Sequence, residues 1–209
     1  NGNTGTDEAI VRAFDGFVDV YIDLQFSTYF VPSKLTAQDG MEISLQNFEN
    51  VTIDGNVAAT ILGTAAADIL VGDSGADTIT GRAGADTLTG GSKSDTFVFL
   101  TGDTGITEAT ADTITDFSTG TDKIDIASVG NYVEADGAGN ANLAAFITDA
   151  DASLPTTSID IYAEYNFNGE GNTLVVIDEN KSGTVNAGDT LIILTGLSTA
   201  GGLDASDFI

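Results

Sequence analysis

"GTAAADILVGDSGADTITGRAGADTLTGGSKSDTFV", residues 63–98, divides into nine-residue blocks that begin at Gly63, Gly72, Gly81 and Gly90. Each block places Asp sixth (Asp68, Asp77, Asp86, Asp95) and an apolar residue eighth (Leu70, Ile79, Leu88, Phe97). This period fits neither an α-helix nor a simple hairpin. It fits a coil whose half-turn is one tight loop plus one short strand. Glycine at the first and fourth positions lets the loop take backbone angles that a Cβ forbids, so carbonyl oxygens can point inward beside the aspartate. Two blocks complete a turn, which lays Asp68 over Asp86 and Asp77 over Asp95. Stacked strands lie roughly 4.8 Å apart. Two carboxylates near that distance repel by about 3 kcal/mol at an effective dielectric of about 20. A cation between the loops turns the repulsion into attraction. Calcium suits such a place, because it is hard and takes about six to eight oxygens from carboxylates and carbonyls together. The alternative is a Gly/Asp-rich β-solenoid with solvated turns and no metal.

The register is imperfect. Ala66 replaces glycine in the first block, Lys93 replaces it in the last, and only the last block has glycine second. Lys93 lies close enough to a site to weaken a metal there. Two regular roll sites are expected, with a third that is irregular. Residues 54–62 read as a decayed repeat, with Gly55 displaced and Ala59 where the aspartate is due. That turn is expected to bind no calcium.

The chain of 209 residues carries 32 acidic and 6 basic residues, a net charge of −26. Nucleic acid is excluded as a partner, since phosphate binding needs clustered Lys and Arg; an anionic membrane surface is excluded for the same reason. Acidity of this degree can signal disorder, but 42% of residues are apolar and fall in short strand-like runs. Divalent cations are the natural relief for the self-repulsion. Cysteine and histidine are both absent. That removes a disulfide framework, thiolate metal sites, a Ser-His-Asp triad, an HExxH zinc site and any imidazole base. No apolar run approaches the ~20 residues needed to cross a membrane, and no signal peptide is visible. A start at Asn1 rather than Met is read as a processed product or a fragment.

Outside the repeat the pattern is also that of strands. "FVDVYIDLQ" (17–25) and "MEISLQNF" (41–48) alternate apolar and polar residues. Asp15-Gly16 and Asp39-Gly40 are turn signals, and "NFENVTIDGN" leads into the roll. After it, Ile114, Phe117, Ile124 and Ile126 mark two short strands expected to fold over the open end of the roll, because an uncapped solenoid exposes apolar surface and unpaired backbone. Leu143, Phe146 and Ile147 have helical spacing and predict a helix over 140–151, with Pro155 beyond its end. "SIDIYAEYNF", "NTLVVIDE" and "DTLIILTG" return to strands. The expected fold is all-β: a right-handed parallel β-roll with flanking β-strands and one short helix. Its parts are an N-terminal β segment (1–53), the roll (54–99) and a C-terminal β cap (100–209).

"DENKSGTVNAGD", Asp178 to Asp189, is a second metal motif. Set against an EF-hand loop, oxygen donors fall at positions 1, 3 and 5 (Asp178, Asn180, Ser182), with Gly183 sixth, the Thr184 carbonyl seventh and Asn186 ninth. Position 12 is Asp189 where an EF-hand has Glu, so bidentate coordination is harder and affinity lower. The flanks are strands, which makes this an EF-like loop within a β-hairpin. It is either a calcium loop or a polar hairpin loop with no ion. A sensor that opens a groove is not expected without paired helices.

The order of elements resembles the C-terminal RTX module of type I-secreted bacterial proteins, a group that includes serralysin-type proteases, mannuronan epimerase R-modules, adhesins and surface-layer proteins. The residues that carry the resemblance are the nonapeptides from Gly63 to Phe99, "DTITDF…GTDKIDI" over 112–126, and the ending "LDASDFI". It covers residues 48–209. The resemblance implies calcium ligands at Asp68, Asp77, Asp86 and Asp95, with the carbonyls of the loop glycines Gly72, Gly75, Gly81, Gly84 and Gly90. It also implies a further site after the roll at Asp103 and Asp112, each of which reads equally as a solvated turn residue. It makes Asp207-Phe208-Ile209 the end of an uncleaved export signal, or else a last edge strand. Calcium, about two to five ions, is then scarce where the chain is made and abundant outside the cell, so binding free energy becomes folding free energy.

The resulting expectation is a non-catalytic extracellular calcium-binding module at the bacterial cell surface. Its expected partners are calcium, other copies of itself in an oligomer or lattice, and cell-surface polysaccharide, without membrane insertion. The edges of an uncapped roll favour end-to-end stacking. The alternatives are the secretion and folding module of a larger protease, lipase or epimerase, and a carboxylate-based enzyme such as a glycosidase. Register already accounts for the aspartates that the last would need.

Overall fold

The computed structural model describes residues 8–14, 17–23, 42–46, 50–54, 58–72, 74–126, 130–135, 140–154 and 160–209. Four strands precede the repeat: β1 (Glu8–Phe14), β2 (Phe17–Asp23), β3 (Glu42–Gln46) and β4 (Asn50–Asp54). β1 pairs antiparallel with β2 and parallel with β4. The turns expected at Asp15-Gly16 and Asp39-Gly40, and the displaced Gly55, lie outside the described residues. The repeat supplies β5 (Ala58–Leu62), β6 (Ile69–Val71), β7 (Thr78–Thr80), β8 (Thr87–Thr89) and β9 (Thr96–Phe99).

Successive repeat strands go alternately to two sheets. β4, β6 and β8 stack in one, while β3, β5, β7 and β9 stack in the other, all parallel. This is the parallel β-roll that a nine-residue half-turn requires. The eighth residue of each block turns inward. Leu70 stacks on Leu88 in one sheet, and Ile61, Ile79 and Phe97 stack in the other; all are fully buried. The residues flanking them are mostly threonines, whose β-branched side chains suit a half-exposed strand surface.

The two strands after the roll differ from their expected role. β10 (Asp112–Ile114) and β11 (Lys123–Ile126) do not fold over the open end. They continue the stack as one more rung in each sheet: β10 beside β8 with Ile114 on Leu88, and β11 beside β9 with Ile124 on Phe97. Each keeps the Asp-x-apolar triplet of a block (Asp112-Thr113-Ile114, Asp122-Lys123-Ile124), so each takes up a block's place despite the longer loop before it.

Four further elements follow: β12 (Asn131–Ala135), which the sequence reading did not identify, then β13 (Asp160–Phe167), β14 (Asn172–Asp178) and β15 (Thr190–Leu194). β15 lies parallel against β10 and antiparallel to β14, which extends the first sheet to ten strands in the order β12-β13-β14-β15-β10-β8-β6-β4-β1-β2. The second sheet has five, β11-β9-β7-β5-β3. The helix α1 spans Leu143–Ser153, shifted from the expected 140–151 because Asn142 is its N-cap, its side chain accepting from the Ala145 N–H. Pro155 is outside the described residues. Phe146 and Ala150 of α1 pack with Tyr162, Leu174, Val176 and Leu191 into a second core. The main core lies between the sheets.

The β11 edge of the five-stranded sheet is covered, though not by the residues 112–126 expected to do so. Phe208 bridges Ile124 in parallel. The Ile209 N–H donates to the Ile124 carbonyl and the Ile126 N–H to the Ile209 carbonyl, each at 3.0 Å.

Candidate metal centre

The aspartates of the repeat form two ladders, one along each edge of the roll. On one edge the Ala59 N–H donates to Asp77 Oδ1 (2.7 Å), the Asp77 N–H to Asp95 Oδ1 (2.8 Å), and the Asp95 N–H to Asp122 Oδ1 (3.0 Å). On the other, the Asp68 N–H donates to Asp86 Oδ1 (2.8 Å) and the Asp86 N–H to Asp112 Oδ1 (2.8 Å). Each of the five accepting carboxylates thus binds the backbone of the turn before it. Ala59 stands at the aspartate position of a decayed turn: it donates to the ladder and has no carboxylate to accept. Both ladders end on local groups. The Asp112 N–H donates to the Thr104 hydroxyl (3.2 Å), which itself donates to the Leu191 carbonyl (2.8 Å). The Asp122 N–H donates to the Ser118 carbonyl (2.9 Å).

One oxygen of each ladder carboxylate is consumed in this way. The second oxygens of Asp86, Asp95 and Asp112 are shielded from solvent and have no hydrogen-bond donor. A buried anion with an unsatisfied oxygen is costly. Burial pushes the carboxyls of Asp86 and Asp95 up to about 6 and that of Asp112 up to about 8, against the lowering effect of the backbone N–H each accepts; neighbouring carboxylates add to the rise. Asp122 and Asp103 are raised too, first by burial. These oxygens call for a cation.

The loop glycines keep side chains away from these oxygens. A Cβ at Gly81 would collide with Asp86 Oδ2, and one at Gly84 would sit 2.6 Å from the Ala66 carbonyl and 2.7 Å from Asp86 Oδ1. Gly84 also has φ +149°, a conformation that favours glycine. Gly63, Gly72 and Gly90 sit against the second oxygens of Asp68, Asp77 and Asp95 in the same way. Carbonyls of the next turn come into the same space: Gly81 O faces Gly63, and Gly90 O faces Gly72 at 2.8 Å from the Cβ position. Gly75 is buried within its loop. Carboxylate and carbonyl oxygens lining a gap without a Cβ form a hard-donor set of the kind calcium takes. Among the described residues no group of three or more carboxylates converges on one point, so one or two carboxylates per gap would be completed by carbonyls.

The gaps are not equivalent. Asp68 is held within its own turn by the Thr64 N–H (2.5 Å) and hydroxyl (3.0 Å). Arg82 donates to the Gly63 carbonyl (3.0 Å), placing a guanidinium beside the first turn. Lys93 is exposed, with φ +85° at the position where two of the four blocks have glycine. Asp103 accepts from the Leu100 N–H (3.0 Å) in the loop before β10, and Glu179 is a near charge.

Three residues of this arrangement were missed by counting nine-residue steps. Asp122 completes one ladder. Asp116 clamps the last block, accepting from Gly90 N–H (3.0 Å) and Gly91 N–H (2.7 Å). Thr104 closes the other ladder. The separation of stacked aspartates widens from 18 residues to 26 and 27 after Asp86 and Asp95, so periodicity loses them. The recurring Asp-x-apolar triplet is the signal that finds Asp122.

The EF-like loop joins β14 to β15, whose pairing closes at Ile177↔Thr190. Asp178 is buried and accepts from the N–H groups of Ser182 (3.1 Å) and Gly183 (2.6 Å). Asp189 accepts from the Asn180 amide (2.9 Å) and the Asn186 N–H (2.8 Å). The Ser182 hydroxyl donates to the Thr184 carbonyl (2.8 Å). Lys181 and Gly183 carry φ +60° and +69°, which curl the loop inward. The six predicted donor residues therefore share one loop, with the carboxylates serving its own backbone. Burial, and after it the Asp178 charge, push Asp189 up to about 6. The Val185 N–H donates to Asp151 of α1 (2.6 Å), tying the loop to the helix.

Residues 62–97 match the RTX calcium-binding nonapeptide repeat in four copies. Among solved structures, the chain is similar to the AlgE6R3 subunit of the Azotobacter vinelandii mannuronan C5-epimerase, at 20% identity over 74% of this chain and 78% of that one, with a TM-score of 0.28. No curated protein matches.

Proposed function

We propose, from the premise that residues 62–97 are RTX calcium-binding nonapeptide repeats, that this chain is an extracellular, non-catalytic structural module whose fold is completed by calcium. The observation that carries the reading is the set of buried, donor-less oxygens on Asp86, Asp95 and Asp112, each in a stack of acidic turns. Without a cation these anions oppose the fold. With calcium between the turns they hold it, and binding free energy becomes folding free energy. In this reading residues 1–53 lead into the roll, 54–99 form its core and 100–209 complete it. Ligands come from Asp68, Asp77, Asp86, Asp95, Asp103 and Asp112 with loop carbonyls, and the 178–189 loop holds a further ion. Export by a type I system, residence at the bacterial cell surface, and self-association or binding to a surface polysaccharide belong to the same proposal. RTX repeats typically belong to secreted proteins, and among the described residues no helix is long and apolar enough to cross a membrane.

The test is a calcium titration of EDTA-treated protein followed by circular dichroism. A gain of β signal and a rise in melting temperature with calcium are expected. Full β structure in EDTA, with a melting temperature indifferent to calcium, would overturn the reading.

A further inference from the structure

Two gaps of the roll are built alike in backbone. In one, Gly63 faces the Gly81 carbonyl two blocks on and the carboxylate of its own Asp68; in the other, Gly72 faces the Gly90 carbonyl and the carboxylate of Asp77. Each is spanned by one ladder bond, from the Asp68 N–H to Asp86 Oδ1 and from the Asp77 N–H to Asp95 Oδ1, both 2.8 Å. The second residue of the later block separates them. It is Arg82 beside the first gap and Gly91 beside the second, and both take a positive φ, +70° and +100°.

In that conformation, unfavourable for a residue with a Cβ, the half-buried Arg82 side chain returns to the earlier turn, and its Nη1 donates to the Gly63 carbonyl at 3.0 Å. Its charge reaches the loop after the roll as well: burial, and after it the Glu179 charge, raise the Asp103 carboxyl, and the Arg82 charge counters them. Asp68 is likewise engaged, accepting from the Thr64 N–H (2.5 Å) and hydroxyl (3.0 Å). A carbonyl and a carboxylate of the first gap thus already have protein donors, with a positive charge beside them. Gly91 offers no such group to the second gap, and Lys93 of the same block is exposed. Further along the first edge, Asp86 and Asp112 each keep a buried second oxygen with no donor.

A guanidinium carries five N–H donors and a delocalised positive charge. It meets, in part, the need of stacked carbonyls and carboxylates that calcium otherwise meets. The two cations exclude one another. A calcium ion on the Gly63 carbonyl, at a bond length of about 2.4 Å, would lie within about 5.5 Å of Arg82 Nη1, where like charges repel. Calcium must therefore displace the guanidinium and break its hydrogen bond. Resting on the calcium function given above, we propose that Arg82 is an internal counter-ion that competes with calcium for the gap between turns 63–68 and 81–86, and sets the affinity of that gap below that of the gap at Gly72 and Gly90.

The test reads calcium gap by gap in wild type, Arg82→Gly and Arg82→Gln. Glycine is relaxed in the left-handed turn and glutamine is not, so an effect common to both belongs to the lost guanidinium. Crystals grown in saturating calcium are moved to a series of buffered lower concentrations, and anomalous scattering gives the occupancy of each gap. In wild type the Gly63–Gly81 gap should empty at higher calcium than the Gly72–Gly90 gap. In both variants its midpoint should fall about tenfold or more, with that of the Gly72–Gly90 gap unmoved. Equal midpoints of the two gaps in wild type would overturn the proposal. So would a first-gap midpoint that stays put in the variants, one that moves only in Arg82→Gly, or a shift of both gaps alike, which the change in net charge alone would give. An ion in neither gap at saturating calcium would instead sink the calcium function itself, and this inference with it.

Discussion

A ladder aspartate does two jobs with its two oxygens. Oδ1 of Asp86 accepts the Asp68 N–H of the turn before, while Oδ2 is buried without a donor. Asp86→Asn keeps an acceptor for that N–H and removes the charge. It should weaken calcium binding by about tenfold, equivalent to about 1.4 kcal/mol, seen as a shift of the calcium midpoint of β signal to higher concentration. Lys93 makes the opposite point. It holds a left-handed φ of +85° at a position where two of the four blocks have glycine. Lys93→Gly relieves about 0.5–1 kcal/mol of backbone strain, after allowing for the greater freedom of glycine in the unfolded chain. It should raise the melting temperature in calcium, and a lower one would refute this account of the fourth block.

At the scale of elements, the roll stays in register because each strand is fixed at both ends: an inward apolar residue in the core and a carboxylate gripping the neighbouring turn. The ladders must then terminate without orphaned donors. Thr104 does this for one of them, taking the Asp112 N–H and giving its own proton to Leu191 of β15. Thr104→Val keeps the shape and removes both bonds. A loss of about 1–3 kcal/mol is expected, measured by urea unfolding in saturating calcium, and a change under ~0.5 kcal/mol would show that β10 and β15 are held by packing alone. The EF-like loop is fixed by the same logic, with Asp178 receiving two backbone N–H groups.

Over the whole molecule the dominant quantity is a charge of −26, part of it buried in stacked turns. The sign of the pH dependence follows. Asp86, Asp95 and Asp189 are raised from 3.8 to about 6, and Asp112 to about 8. A carboxyl whose folded value lies above its unfolded one favours the fold at pH below the unfolded value, and that contribution is lost as pH rises through the folded value. Calcium-free protein should therefore gain β signal as pH falls from about 8 towards about 4. Protons and calcium compete for the same oxygens, so the calcium midpoint should move to higher calcium over the same descent. An apo fold indifferent to pH across this range would contradict the buried carboxylates as the source of calcium dependence.

How much of this was legible in the chain depends on whether the information was local. The nine-residue step of Asp and apolar residues is a local pattern, and a half-turn of loop and strand is its direct physical consequence. Parallel stacking, the inward row from Leu70 to Phe97, the glycine cradles and the place of Ala59 as a ladder position without a carboxylate all follow from that spacing. So does calcium, from the chemistry of carboxylates stacked turn upon turn. What tertiary structure alone decided involves residues brought together across insertions that periodicity does not cross. Asp112 and Asp122 stack on Asp86 and Asp95 after longer loops, so β10 and β11 became rungs rather than a lid. Thr104 meets Leu191 across the chain. Phe208 completes a sheet whose last strand ends 82 residues earlier, at Ile126. In each case a strand edge or a backbone donor needed a partner, and the fold took the nearest group in space rather than the nearest in sequence.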